Sequence, residues 1–360
     1  MSKKLLFFAS SKGIGLTYHL TVFSKYIKLK YNDVVVLSGN KEQYKGLFDE
    51  LDESEIKYYR VNGLDEIKNF LRNIKGFLNI VKSENPYVLH AQTNTHLFYC
   101  LFAKMIYGKK IIYTIHSYRN SKGNIREFLM SIALSVFCNL FVDYTNTLSS
   151  IVRKHFNNYF LKTDFLTLGY ELPPPRLSFN TEFFTVIYAA KFNKSKRHLK
   201  LLEALIPILK KHNDIKVILP GDGETLKECK ELVKENCVND NILFPGWVDR
   251  NELETYYLKA SIAVVTSKSE NGGHAIVEPL AYSLPLISTK VGIAPDVIVN
   301  NENGYLYDID DMDNLRKHIL YFYNDREKII KFGKKSYDIA LEKLSWEKIS
   351  EIYVKVLNEI

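Results

Sequence analysis

Two glutamates eight residues apart, Glu270 and Glu278, frame the stretch of this sequence richest in chemical groups: Ser267-Lys-Ser-Glu270-Asn-Gly-Gly-His274-Ala-Ile-Val-Glu278. The apolar run ending at Thr266 reads as a strand, and the two glycines after Glu270 open a helix near His274. Glu270 is then left in the loop and Glu278 lies about one turn into the helix. The backbone amides of Gly273, His274, Ala275 and Ile276 become the unpaired donors of a helix N-terminus, which suits a phosphate. Two carboxylates beside an anion site are electrostatically unfavourable unless they accept hydrogen bonds from hydroxyls. Sugars and ribose supply such hydroxyls. The plainer alternative is that Glu270 solvates a loop and Glu278 is a first-turn carboxylate favoured by the helix dipole.

Two other motifs carry less. Gly13-Ile-Gly15 follows the first apolar run like the start of a dinucleotide fingerprint, but Tyr18 replaces the third glycine. The second run ends Leu37-Ser-Gly-Asn40 without the acid that would hold a ribose, so a nicotinamide oxidoreductase is not expected. Gly13 and Gly15 still permit close approach of backbone to an anion, or simply a tight turn. Asp308-Ile-Asp310 spells a pair of metal-ligating carboxylates, yet with Asp311 and Asp313 it reads as an acid-rich helix start. No metal is expected. The four cysteines stand far apart with no CxxC pair, which points to a reducing compartment and thiols without structural duty.

The elements that must position these groups alternate. Leu5–Ala9, Asp33–Ser38, Tyr87–Ala91 and Lys110–Ile115 are short apolar runs separated by helical periods. The rhythm restarts with Phe183–Ala190, Ile215–Leu219, Asn241–Phe244, Ser261–Thr266 and Leu284–Ser288. Such alternation is the signature of parallel sheets covered on both faces. Three prolines in Leu172-Pro-Pro-Pro175 break the chain into halves. The reading is α/β: two doubly wound, Rossmann-like domains, 1–172 and 173–342, with a last helix over about 343–360 returning to the first through Ile349, Ile352, Tyr353 and Val356. Ligands of such sheets bind at the carboxyl edges of the strands, here in a cleft between the halves.

Composition agrees with a globular chain: 360 residues, 46% hydrophobic and 25% charged. The opening Leu5-Leu-Phe-Phe8 is too short for an export signal, and a soluble, cytoplasmic protein is expected. The longest run free of both charged residues and histidine, 128–142, has 15 residues, short of the roughly 20 needed to span a bilayer. It carries Ser131, Ser135 and Asn139 at intervals of four and reads as a buried helix running into a strand. The net charge of +8 is unevenly spread: residues 1–170 hold 23 Lys+Arg against 13 Asp+Glu, while 171–360 hold 26 against 28. An anionic partner should meet the first half, with a scattered solubilising surface as the alternative.

Glu270-x7-Glu278 followed by Pro-Leu-Ala-x-x-x-Pro-Leu-Ile resembles the E-x7-E signature of retaining, GT-B-fold glycosyltransferases (family four, glycosyl transferases group 1, of the bacterial polysaccharide type). Ala189-Ala-Lys191-Phe-Asn-Lys-Ser-Lys196 stands where that family has its phosphate-binding segment. Pro220-Gly-Asp-Gly223, Phe244-Pro-Gly-Trp-Val248 and Asn303-Gly304-Tyr-Leu match three of its turns in order, so the likeness runs through almost the whole second half. In the first half only the glycine loop, His90 and Tyr113-Thr-Ile-His116 correspond. The sequence departs from the family in having Lys191 for an arginine, Gly272 for a bulky residue and Asp296 for a glutamate.

The resemblance implies roles. Glu270 would contact donor-sugar hydroxyls, Glu278 the ribose, and Lys191 and Lys196 the leaving pyrophosphate. His116 would hydrogen-bond the donor sugar or its leaving region. Gly13, Gly15, Val248, Gly272, Gly273, His274, Ala275 and Ile276 would complete the donor site. It also implies transfer of a hexose or N-acetylhexosamine from a nucleotide sugar, with UDP expected, to a glycan or lipid-linked oligosaccharide in surface polysaccharide biosynthesis. No cofactor and no nucleic acid are expected as partners, and the basic half allows a peripheral contact with an anionic membrane. The competing readings are a nucleotide-sugar epimerase of the same architecture and a basic nucleic-acid-binding protein. The latter should interleave aromatic and basic residues on one platform, whereas these lysines are dispersed.

Overall fold

A computed structural model describes residues 4–9, 22–28, 33–38, 45–116, 125–159, 161, 163–167, 169–179, 182–270 and 273–360. Strands β1 (Lys4–Ala9), β2 (Asp33–Ser38), β3 (Lys57–Arg60), β4 (Val88–Ala91), β5 (Lys110–Ile115), β6 (Tyr144–Thr147) and β7 (Asp164–Phe165) form one sheet, ordered β3-β2-β1-β4-β5-β6-β7. Strands β8 (Phe184–Ile187), β9 (Ile215–Pro220), β10 (Ile242–Gly246), β11 (Ile262–Val265), β12 (Leu286–Thr289) and β13 (Gly304–Tyr307) form the second, ordered β10-β9-β8-β11-β12-β13. All these pairings are parallel. The chain divides into two compact units, Met1–Gly169 with Trp346–Ile360, and Tyr170–Ser345. Each is a doubly wound, Rossmann-like domain.

Burial on both faces explains why the strands read as unbroken apolar runs. In β1, Leu5, Phe7 and Ala9 enter one core of the first unit, and Leu6 and Phe8 enter the other. Each sheet reverses its order once, beside β1 and β4 in the first unit and beside β8 and β11 in the second. At such a reversal the loops leaving two adjacent strands diverge and leave a crevice between them. In the second unit those loops carry Lys196, after β8, and Glu270, after β11.

The helix Trp346–Glu359 closes the first core with Trp346, Ile349, Tyr353, Val356 and Leu357. Ile352, assigned to this face from the sequence, is 41% exposed, because it sits about 100° round the helix from Tyr353. Gly169 is required here, since a Cβ on it would lie 2.3 Å from the Trp346 ring. A directed chain of hydrogen bonds pins the helix to the sheet. Asn146 Nδ2 donates to the Leu166 carbonyl at 3.4 Å, and Thr114 Oγ1 donates to Asn146 Oδ1 at 2.7 Å. Thr114 must therefore accept from His90 Nε2, 2.7 Å away, which leaves His90 Nδ1 to accept from the Tyr353 hydroxyl at 2.5 Å. Burial, with the nearby His116 adding to it, drives the His90 pKa well below the ordinary value and keeps the ring in this neutral tautomer.

The uncharged run forms most of the helix Ile125–Phe141, which does run towards β6, but its orientation is the reverse of a buried helix. Ser131 and Ser135 are buried, while Met130, Val136 and Leu140 are more than half exposed. Ser135 Oγ donates to the Ser131 carbonyl at 2.8 Å, and Ser131 Oγ lies 3.1 Å from His155 Nε2, so the serines satisfy one another and a neighbouring helix inside the unit.

Tyr353→Phe removes the only proton that His90 Nδ1 can accept in that chain and strands a buried acceptor. It should lower stability by about 1–3 kcal/mol, read as a lower urea midpoint with unchanged slope. An unchanged midpoint would show that the chain does not hold the helix.

Candidate functional site

The loop after β8 is shaped by side-chain-to-backbone bonds. Asn193 Oδ1 accepts from the amides of Ser195 and Lys196, each at 3.0 Å, turning the chain so that Lys196 faces β11. The Pro220-Gly-Asp-Gly223 turn supports this loop from the side. A Cβ on Gly221 would stand 2.1 Å from the Ala190 carbonyl oxygen and one on Gly223 2.2 Å from that of Phe192, so only glycine fits where backbone lies on backbone. Arg197 takes a left-handed conformation, φ 59°, before the helix His198–Leu209. Its guanidinium donates to the Ile309 carbonyl and to Asp310, both at 2.6 Å.

Lys196 meets Glu270 in an ion pair through Nζ and Oε1, with their side chains 20% and 7% exposed. Ser267 Oγ donates to the same oxygen at 2.6 Å. Because Ser267 spends its proton there, the Tyr188 hydroxyl is the donor, its one proton shared between Ser267 Oγ at 2.7 Å and the Lys196 carbonyl at 3.1 Å. Burial, then the Glu270 charge, pushes the Tyr188 pKa far up, so this phenol keeps its proton. The two loops are laced further by Lys268 N–H to the Ser195 carbonyl at 2.7 Å and Thr266 Oγ1 to the Lys196 carbonyl at 2.9 Å. Behind Glu270, Gly292 has φ 51°, and a Cβ there would lie 2.8 Å from the Glu270 Cβ.

Gly273, in a left-handed conformation, precedes the helix His274–Ala281. Glu278 points one oxygen at the buried Tyr257 hydroxyl, 2.8 Å away, and the other towards His274 Nδ1 at 3.8 Å. Ala275 and Ile276 follow in the first turn, both buried. The Ile276 amide is not an open donor: it bonds the Gly273 carbonyl at 2.7 Å, tightening the turn and removing one of the four amides expected for an anion. Lys191 is exposed, and Val248 is half-buried beside Trp247, which is 69% exposed.

Other sequence assignments fall elsewhere. Gly13, Gly15 and Gly272 lie outside the described residues. His116 stands just after β5 in the first unit, its Nε2 2.5 Å from Gln92 Oε1, and burial lowers its pKa to about 4. His90 is wholly engaged in the chain to Tyr353. Asp308 and Asp310 do not converge on one point: Asp308 pairs with Lys290 at 2.8 Å and Asp310 with Arg197, while Asp311 caps the next helix by accepting from the Asn314 amide at 3.0 Å. Among the described residues no cluster of three or more metal-ligating side chains occurs. Sequence reasoning missed Ser267, Tyr188, Tyr257 and Gly292. Ser267 alone carried a signal, three residues before Glu270 in the same loop.

Residues 173–338 match the family model of glycosyl transferases group 1. The two Rossmann-like units agree with a GT-B fold, and the matched segment lies within the second of them. It is 27% identical over 175 residues to N-acetyl-alpha-D-glucosaminyl L-malate synthase of Bacillus anthracis, covering 49% of this chain and 45% of the relative. It is 26% identical over 167 residues to the poly(ribitol-phosphate) alpha-N-acetylglucosaminyltransferase of Staphylococcus aureus, 46% of this chain and 33% of that one. The matched segments thus span less than half of these relatives. The crystal structure of Anabaena HepE in complex with UDP and glucose superposes with a TM-score of 0.80 over 99% of this chain and 100% of that one, at 15% identity, a likeness of fold.

His198 adds a pH response beside the site. It is 1% exposed, stacked between Tyr188 and Phe192 with ring centroids 4.6 and 3.9 Å away, and neither ring nitrogen has a hydrogen-bond partner. Burial, helped by Lys196, lowers its pKa to about 3. The unfolded chain takes up a proton near pH 6.5 that the folded one refuses, so this residue costs nothing above pH 6.5 and about 2 kcal/mol by pH 5. His198→Phe should flatten the fall in Tm between pH 7 and 5. A slope equal to that of the wild type would contradict the assignment.

Proposed function

We propose that this protein is a retaining glycosyltransferase that takes a hexose or N-acetylhexosamine from a nucleotide sugar and moves it to a glycan or lipid-linked oligosaccharide of a surface polysaccharide. The observation that carries the reading is the meeting of Lys196 and Glu270 at the order reversal of the second sheet, inside the segment that matches the family model. A UDP donor is supported by the UDP and glucose bound to HepE. The acceptor class is supported by the relative named for transfer to poly(ribitol-phosphate), and an N-acetylhexosamine by the glucosaminyl group in both relatives' names.

In this reading the first unit handles the acceptor and the second binds the donor. Lys196, with Lys191, moves to the pyrophosphate and stabilises the negative charge that grows as the sugar–phosphate bond breaks. Point cations suit this, since they can follow a departing group. Glu270, released by Lys196, accepts hydrogen bonds from sugar hydroxyls, and Glu278, fixed by Tyr257, accepts from the ribose. Gly13, Gly15, Val248, Gly272 and the first-turn residues from Gly273 line the donor. His116 hydrogen-bonds the donor sugar or its leaving region. The acceptor oxygen bonds to the anomeric carbon on the face that the phosphate leaves, and its proton passes to the leaving phosphate oxygen. Configuration is retained and both electron pairs are accounted for. The basic first unit brings this chemistry to an anionic membrane face.

Glu270→Gln and Lys196→Ala should each lower turnover on the order of 10²-fold or more without unfolding the protein, with Tm lowered by the charge left unpaired. Activity should survive EDTA, because the lysines take the role a divalent ion would fill. Wild-type rates in either variant, or a nucleotide sugar converted to its epimer without transfer, would reject the proposal. A screen of UDP-, GDP- and ADP-sugars by thermal shift identifies the donor, the true one raising Tm by mass action.

A further inference from the structure

The first unit carries an apolar face that its own fold does not use. On the helix Asn94–Tyr107, Met105 and Ile106 are 73% and 55% exposed. On the adjoining helix Ile125–Phe141, Leu129, Met130, Val136 and Leu140 are between 51% and 68% exposed. The two helices meet through Phe98 and Phe137, ring centroids 6.1 Å apart, and leave an apolar groove of about 250 Å³ between them. The longer helix buries Ser131 and Ser135 and leaves Leu129, Met130, Val136 and Leu140 to solvent, so these large side chains are not used by the unit's own core. A continuous exposed apolar face of this kind marks a contact site.

Charge decides what covers it. The two helices and their neighbours Phe70–Glu84 and Ser150–Asn157 together hold seven basic residues against two acidic ones. One of the acids, Glu84, is already bound by Lys4 and Lys57, and one of the bases, Lys104, by Asp143, which leaves six basic residues against one acidic one. A second copy of the chain would set this basic surround against itself, at a repulsive cost. An anionic lipid surface supplies the missing counter-charge and accepts the apolar side chains. No helix among the described residues is long and apolar enough to cross a membrane, so the helix would lie in the plane of the interface.

We infer that Ile125–Phe141, with the exposed end of Asn94–Tyr107, is an insertion surface for a bilayer containing anionic lipid. The basic residues draw the protein to the headgroups, and the apolar face enters the acyl boundary and resists removal by salt. This deepens the membrane contact proposed above from attraction by charge to insertion, and it does not depend on the transfer reaction.

The test is co-sedimentation of the full chain with phosphatidylcholine vesicles, with and without phosphatidylglycerol, at low and high salt. The comparison is a Met130→Glu, Leu140→Glu variant, whose sites are exposed and should leave Tm unchanged. The wild type should bind only the anionic vesicles and keep a salt-resistant fraction, and the variant should bind about tenfold less or weaker. Amide exchange across 125–141 should slow on vesicles. Equal, fully salt-reversible binding by both proteins would overturn insertion while leaving attraction by charge. Binding to neither vesicle would overturn both. A wild-type dimer that the variant converts to monomer would show that a second copy covers the face. Transfer to a soluble acceptor, measured in parallel without vesicles, keeps a failed membrane contact distinct from a failed enzyme.

Discussion

The ion pair between Lys196 and Glu270 is the interaction on which the second unit's site depends. Each charge is largely withdrawn from water, and each is tolerable there because the other is present. Neither could be left alone at small cost, so the loops after β8 and β11 must be held in register. That requirement explains the lacing around them: Asn193 turning one loop, Ser267 and Tyr188 joining it to the other, and Gly292 leaving room behind Glu270. In the proposed reading, a diphosphate that took over Lys196 would free Glu270 for hydroxyls at the same moment, so both charges would exchange one partner for another without being stranded.

The scaffold makes this exchange local. Parallel strands buried on both faces place every functional loop at one edge of the sheet, and the order reversal between β8 and β11 puts two of those loops side by side. Glycine appears where the backbone of one loop must touch that of another, at Gly221 and Gly223. Glu278 is kept apart from the pair, one helical turn away, with its orientation set by the buried Tyr257. The two carboxylates therefore face different partners, Lys196 and Ser267 in one case and Tyr257 in the other.

Much of this was legible in the sequence. The alternation of apolar runs and helical periods gave both sheets, since parallel strands buried on two faces have no polar side to blur the pattern. Glu270 and Glu278 were legible as candidates because two carboxylates flank a glycine-opened helix start, and Lys196 through the resemblance of its segment to the family's phosphate-binding one. Tyr188 and Tyr257 were not, because a tyrosine in an apolar stretch reads as core and its hydroxyl partner lies 79 or 21 residues away. Gly292 carried no signal, since its neighbour Glu270 is distant in sequence. The helix Ile125–Phe141 was read as buried for a similar reason: both of its stripes are uncharged, so periodicity located them without telling which one faces the core. Ile276 was misjudged because the first turn tightens, a backbone detail that no side chain announces.

The exchange of partners at Lys196 can be measured directly by calorimetric titration of UDP, GDP and ADP, free and as their sugars, into the wild type and two variants. One diphosphate should bind, and Lys196→Ala should weaken it about tenfold or more. Glu270→Gln should bind the free diphosphate at least as tightly as the wild type, because its lysine is already released, yet lose affinity for the sugar-bearing form. Equal affinities across all three proteins, or a loss of free diphosphate binding in Glu270→Gln, would contradict the account.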